Sequence, residues 1–170
     1  APENATVAPY DKENGFALQP CVMGTTIDRD QFVEAADEAI EQLQDSLSLE
    51  KADVYVNPTV YDDDETLAAA IETMNGYAGT TINYQIGEST EVLDATTFGE
   101  WISINKKGKP VISKKKVEEY VAGLAKKYNT CYTAKKLKTS YGKTVTIARS
   151  CYGWKVDNDA ETKEIIGEIK

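Results

Sequence analysis

At 170 residues, with 41% apolar and 28% charged side chains, the chain can bury one sizeable core or two small packed lobes, and its composition argues against wholesale disorder. No apolar run approaches the ~20 residues that cross a bilayer. The net charge of −9 hides a division: residues 1–100 carry 3 basic and 21 acidic side chains and residues 101–170 carry 16 and 7, so the first part is acidic and the second cationic.

In chain order, Asp28-Arg29-Asp30-Gln31 reads as a capping box that starts a helix of about 19 residues. Its apolar stripe is Phe32, Val33, Ala36, Ile40, Leu43 and Leu47, with Glu34, Asp37, Glu38 and Glu41 outside. The β-branched and aromatic run over 53–61 predicts a strand, confined to an edge or interrupted by Pro58. Asp62-Asp63-Asp64-Glu65 opens a second helix, with Leu67, Ala70, Ile71 and Met74 on one face and Asn75-Gly76 closing it. A calcium loop is the sharper reading of those carboxylates, but the glycine and glutamate it needs are out of place. Residues 80–86 alternate as a half-buried strand ending at Gly87. Asp94 caps a short helix that presents Phe98, Trp101 and Ile102, and Lys106-Lys107-Gly108-Lys109 is a turn.

Ser113 caps the next helix, striped by Val117, Tyr120, Val121, Leu124 and Tyr128. Lys114, Lys115 and Lys116 crowd its first turn, where the helix dipole disfavours cations. Residues 131–151 predict a hairpin around Thr139-Ser140-Tyr141-Gly142-Lys143, which sets Leu137 opposite Val145 and Lys135 opposite Ile147. The same register brings Cys131 opposite Cys151, so a disulfide is expected there, with unpaired buried thiols as the alternative. A last helix covers 159–169. The fold class is therefore α+β, an antiparallel sheet with helices packed on it. Residues 1–170 are taken as a single module, with a possible lobe boundary near 88–105.

Histidine is absent, which removes the usual base of serine and cysteine hydrolases and the commonest zinc ligand. There is no G-x-S-x-G, P-loop or G-x-G-x-x-G, and Cys21, Cys131 and Cys151 have no C-x-x-C spacing. No catalytic residue, metal site or cofactor is expected. Between Lys106 and Lys155 stand 14 Lys or Arg against Glu118 and Glu119 alone, a run that either packs near the acidic part or faces an anion. Nucleic acid is disfavoured as that anion by the pI near 4.6 and by the lack of a helix-turn-helix or RNP-like pattern.

Several segments then act together: Met23-Gly24-Thr25-Thr26-Ile27-Asp28, Leu93-Asp94 leading to Trp101-Ile102, Val117 to Thr130, Leu137 to Gly142, and Tyr152-Gly153-Trp154-Lys155-Val156-Asp157. In order and spacing they resemble the peptidoglycan-binding domain that precedes the YkuD-type catalytic domain of L,D-transpeptidases and also occurs in VanW-like proteins. The resemblance implies a Gram-positive, extracytoplasmic envelope protein, tethered by an N-terminal anchor outside this chain and followed by a C-terminal catalytic domain. That domain carries its nucleophile in a Ser-His-Gly-Cys context, which no cysteine here has.

The expected role is thus a non-catalytic module that binds or positions peptidoglycan, or an anionic wall polymer, for cross-linking by its neighbour. Trp101, Lys114, Lys115, Lys116, Tyr152 and Trp154 are the candidate binding residues: aromatics stack on sugar rings and lysines attract wall carboxylates or phosphates. Both tryptophans and Tyr152 have a plainer reading as core anchors. The alternative role is a structural spacer that docks on a neighbouring domain without touching the wall.

Overall fold

The computed structural model describes residues 1–148 and 153–170. They form two compact units, Ala1–Thr73 with Lys106–Lys109, and Met74–Asn105 with Pro110–Lys170. Helices and antiparallel strands are mixed, as the α+β class requires, but among the described residues the strands form four separate two-stranded ladders and not one sheet.

In the first unit, β1 (Thr6–Val7) pairs with β2 (Leu18–Gln19), and a Glu3–Val22 bridge prolongs the ladder. The Asn4 carboxamide oxygen accepts from the Thr59 amide at 2.8 Å, tying residues 4 and 59 together. Helix α1 (Arg29–Glu41) starts where expected: the Asp28 carboxylate accepts from the amides of Asp30 and Gln31, at 3.0 and 3.2 Å. It is shorter than expected because Leu43 takes a left-handed φ of 53°, which stops the helical ladder. The expected apolar stripe is not buried either, since Ile40 is 71% and Leu43 88% exposed, and only Ala39 is buried. Residues 53–61 form no strand; among the described residues their β-bridge is Ile27–Tyr55, and the Val60 carbonyl also accepts from the Ala5 amide at 3.0 Å. Asp53 has a left-handed φ of 49°, and Pro58 has no amide to donate.

Helix α2 (Glu65–Ala78) opens after Asp64, whose carboxylate accepts from the Leu67 amide at 2.9 Å. The acidic run therefore caps a helix. The helix passes through Gly76 and ends at Ala78; the amide of Gly79, just beyond it, donates to the Asn75 carbonyl.

The second unit contains the hairpin of β3 (Ile82–Ile86) and β4 (Ser89–Leu93), turned at Gly87 with φ 63°. Asp94 caps α3 (Ala95–Phe98), and a 3-10 turn over Gly99–Trp101 leads to β5 (Ile102–Ile104), paired with β6 (Pro110–Ile112). Helix α4 (Lys114–Tyr128) follows Ser113 and buries Val117, Val121 and Leu124, as its spacing predicts. The hairpin of β7 (Lys135–Lys138) and β8 (Thr144–Ile147) has the expected register, Leu137 opposite Val145 and Lys135 opposite Ile147. Cys151, the proposed partner of Cys131, lies outside the described residues. Helix α5 (Asn158–Ile169) packs on α4 and buries Thr162, Ile165 and Ile169 at the three-and-four spacing of one face.

Candidate functional site

The sequence-derived candidates do not converge on one place. Lys114, Lys115 and Lys116 sit at the start of α4, about 21 Å by helical rise from its last residue, Tyr128. Lys114 pairs with Glu118 at 3.2 Å and Lys115 with Glu119 at 3.9 Å, while the Lys116 ammonium donates to the Glu100 carbonyl at 2.7 Å. These contacts answer the dipole misfit, because each cation has a local oxygen to face. Trp101 is 8% exposed and packs between Phe98 and Tyr120, with ring centroids 6.2 and 5.4 Å away. Its ring has no free face for a ligand.

Trp154 lies beyond the other end of α4. The amides of Thr130 and Cys131 both donate to its carbonyl at 3.0 Å, and its own amide donates to the Thr130 hydroxyl at 3.0 Å. Two residues on, the Val156 amide donates to the Asn129 side chain at 2.7 Å. The backbone of 154–156 is thus stitched to the residues that terminate α4, while the indole stays 68% exposed. Tyr152 lies outside the described residues.

Beside the indole runs a groove of about 370 Å³, walled by Tyr84–Gly87 of the β3 hairpin, by Leu124 and Tyr128 of α4, and by Trp154–Asp157, Ala160 and Glu161. Three aromatics and the aliphatic side chains of Ile86, Leu124 and Val156 make its apolar surface. Lys155 supplies a cation, Asp157 and Glu161 carboxylates. Burial first, then the Glu161 carboxylate that accepts its hydrogen bond, raises the Tyr84 phenol above its ordinary pKa. One wall is pinned by Glu91, whose Oε1 accepts from both the Lys127 ammonium and the Tyr128 hydroxyl. Those bonds, the one from Lys127 foremost, hold the Glu91 carboxyl below its usual pKa.

The groove shares walls with two neighbouring depressions. One, lined by Asn129, Lys155–Asp157, Asn158 and Asp159, lies at the start of α5. The other runs between Thr81–Gln85 and the Glu161, Glu164, Ile165 and Glu168 face of α5. A chain of apolar and mixed-charge surface results, suited to binding an extended amphipathic ligand. Among the described residues no group of three or more His, Cys, Asp or Glu is placed to hold a metal ion, and no helix is long and apolar enough to cross a membrane.

Trp154 is legible in the sequence as a candidate, whereas its companions Tyr84, Tyr128, Lys155 and Glu161 are not. Tyr84 and Tyr128 carry the ordinary signal of a buried stripe, and nothing local shows that the stripe surfaces at a groove. Lys155 and Glu161 belong to elements that meet only through tertiary packing.

Residues 63–170 match the family model described as "Putative peptidoglycan binding domain". Among solved structures, the chain is similar to the carbamoyl enzyme formed by Ldtfm, an Enterococcus faecium L,D-transpeptidase, with avibactam: 28% identity, a TM-score of 0.50, 61% of this chain and 40% of that one. A cysteine-to-serine mutant of an E. faecium L,D-transpeptidase matches at 28% identity and a TM-score of 0.47, covering 58% of this chain and 39% of the other. The chain thus spans about two-fifths of the length of these solved chains. No curated protein is similar enough to count as a match.

Proposed function

Because the chain belongs to the peptidoglycan-binding domain family, we propose that it is the non-catalytic module of a Gram-positive L,D-transpeptidase, holding peptidoglycan for a catalytic domain that follows it in the same polypeptide. The module acts outside the membrane, on a protein tethered by an N-terminal anchor. The observation that carries the proposal is Trp154: a large indole left 68% exposed on a backbone fixed by four hydrogen bonds, beside an aromatic-lined groove. An exposed aromatic on a rigid backbone gives a sugar or peptide a stacking surface at little entropic cost. The absence of histidine and of any nucleophile motif supports a binding role over chemistry. The lysines at the start of α4, already engaged with oxygens, serve as a long-range attraction for wall anions and not as the contact site.

Retention of the purified chain on isolated cell-wall sacculi tests this reading. Wild-type protein is expected to co-sediment at low salt and Trp154→Ala to stay in the supernatant. If wild type fails to sediment at low salt, direct wall binding is rejected, and the module is a spacer that docks on its catalytic neighbour.

A further inference from the structure

The depression between β3 and α5 has a feature that a site for uncharged sugars does not need. The β3–β4 hairpin turns through two residues with Ile86 opposite Ser89, which makes that pair hydrogen-bonded, and Tyr84–Glu91 and Ile82–Leu93 with it. By alternation, the amide and carbonyl of Asn83 and of Gln85 point away from β4. Among the described residues no strand pairs with that outer edge, and residues 81–85 line a depression of about 550 Å³. The opposite wall is α5, which lines the same space with Glu161, Glu164 and Glu168. Spaced three and four apart, these glutamates lie on one helix face and span about 10 Å along it. Side chains on one side of an extended peptide recur about every 7 Å, so two of them fit within that span.

We propose, building on the wall-binding reading, that this depression binds the peptide part of peptidoglycan, taking a short extended peptide with free primary amines as an added strand on β3. Backbone groups of Asn83 and Gln85 bond the peptide main chain, and Glu161, Glu164 and Glu168 face its ammonium groups. Strand addition supplies affinity through the main chain, and the flanking charges supply selectivity. The three carboxylates repel a polyanion such as teichoic acid and give a neutral glycan nothing to pair with, so charge complementarity selects an amine-bearing peptide. Sugars stacked on Trp154 lie in the adjoining groove, which shares Tyr84, Gln85 and Glu161 with this depression.

Calorimetric titration of the full chain tests the assignment, with three probes: a synthetic stem tetrapeptide bearing a free lysine amine, the same peptide with that amine acetylated, and chitotetraose. The free-amine peptide is expected to bind, acetylation to weaken it about fivefold, and the variant combining Glu161→Gln, Glu164→Gln and Glu168→Gln to lower affinity as much and remove the difference between the two peptides. Gln85→Pro deletes an outward donor but no bond of the β3–β4 ladder, so with an unchanged circular dichroism spectrum it should abolish peptide binding. Equal affinity for free and acetylated peptide, or peptide binding that survives both sets of substitutions, overturns the assignment. If sacculi retain the chain but no peptide binds, this inference fails and the wall-binding reading stands. If neither sacculi nor peptide bind, both fail.

Discussion

The Tyr128 hydroxyl, at the last residue of α4, donates to the Glu91 carboxylate in the middle of β4. The same oxygen accepts from Lys127, so one carboxylate fastens the end of the helix to the hairpin that walls the groove. Glu91 is thereby held below the ordinary glutamate range. A depressed carboxylate contributes stability that is fully present above its unfolded pKa and is lost as pH falls through the folded one. Wild-type protein should therefore lose stability below about pH 4.5 more steeply than Glu91→Gln, which has no charge to forfeit there. Urea midpoints for both proteins at pH 7 and pH 3 measure this; parallel losses would show that the bonds add nothing.

The two tryptophans separate packing from binding. Trp101→Ala removes a ring that is 8% exposed, held between Phe98 and Tyr120. It should cost about 3 kcal/mol or more in denaturant unfolding, through lost burial and the cavity left behind. Trp154→Ala removes an exposed ring, so stability should change by less than about 0.5 kcal/mol. Its loss should appear in wall affinity, reduced about tenfold by the missing aromatic stacking. Sedimentation with sacculi, done beside the unfolding curves, reads both effects.

Where local chemistry decides structure, the chain was legible. Asp28, Asp64 and Asp94 cap the helices they precede, and Gly142, with φ 77°, allows the turn that sets the β7–β8 register. The valines and leucine of α4 point inward at the predicted spacing. The sequence misleads over α1, whose stripe is a good helical pattern that leaves Ile40 and Leu43 exposed, because periodicity describes a face and not what covers it. It misleads again over 53–61, where β-branched composition meets an intolerant backbone at Asp53 and Pro58. The groove was legible only through Trp154, since its walls come from β3, α4 and α5, far apart in the chain.

Leu43 offers a test of how α1 ends. With φ at 53° and its side chain 88% exposed, it bears the steric penalty of a left-handed backbone and gains little packing in return. Leu43→Gly should stabilise the chain by about 1 kcal/mol, since glycine takes this conformation without the Cβ clash. A higher urea midpoint with unchanged m-value is the expected result. A lower midpoint would mean that the leucine makes contacts worth more than the strain.

Gly153 links local backbone to the groove. Its φ of 142° is one that L side chains rarely adopt, and a Cβ there would lie 2.7 Å from the Thr130 carbonyl carbon and hydroxyl and 2.8 Å from the Cys131 amide nitrogen. The Thr130 hydroxyl and the Cys131 amide also bond the Trp154 backbone, so an added methyl must push residues 153–154 away from the end of α4. Gly153→Ala should cost about 2 kcal/mol from strain and lost hydrogen bonds, and should impair wall binding because the indole loses its fixed support. Gly123→Ala is the control within the same unit. It lies inside α4 with nothing within 4 Å of an added Cβ, and alanine there should gain about 0.5–1 kcal/mol through helix propensity. If the two substitutions changed the urea midpoint alike, the close contact of Gly153 with Thr130 would not be what holds Trp154 in place.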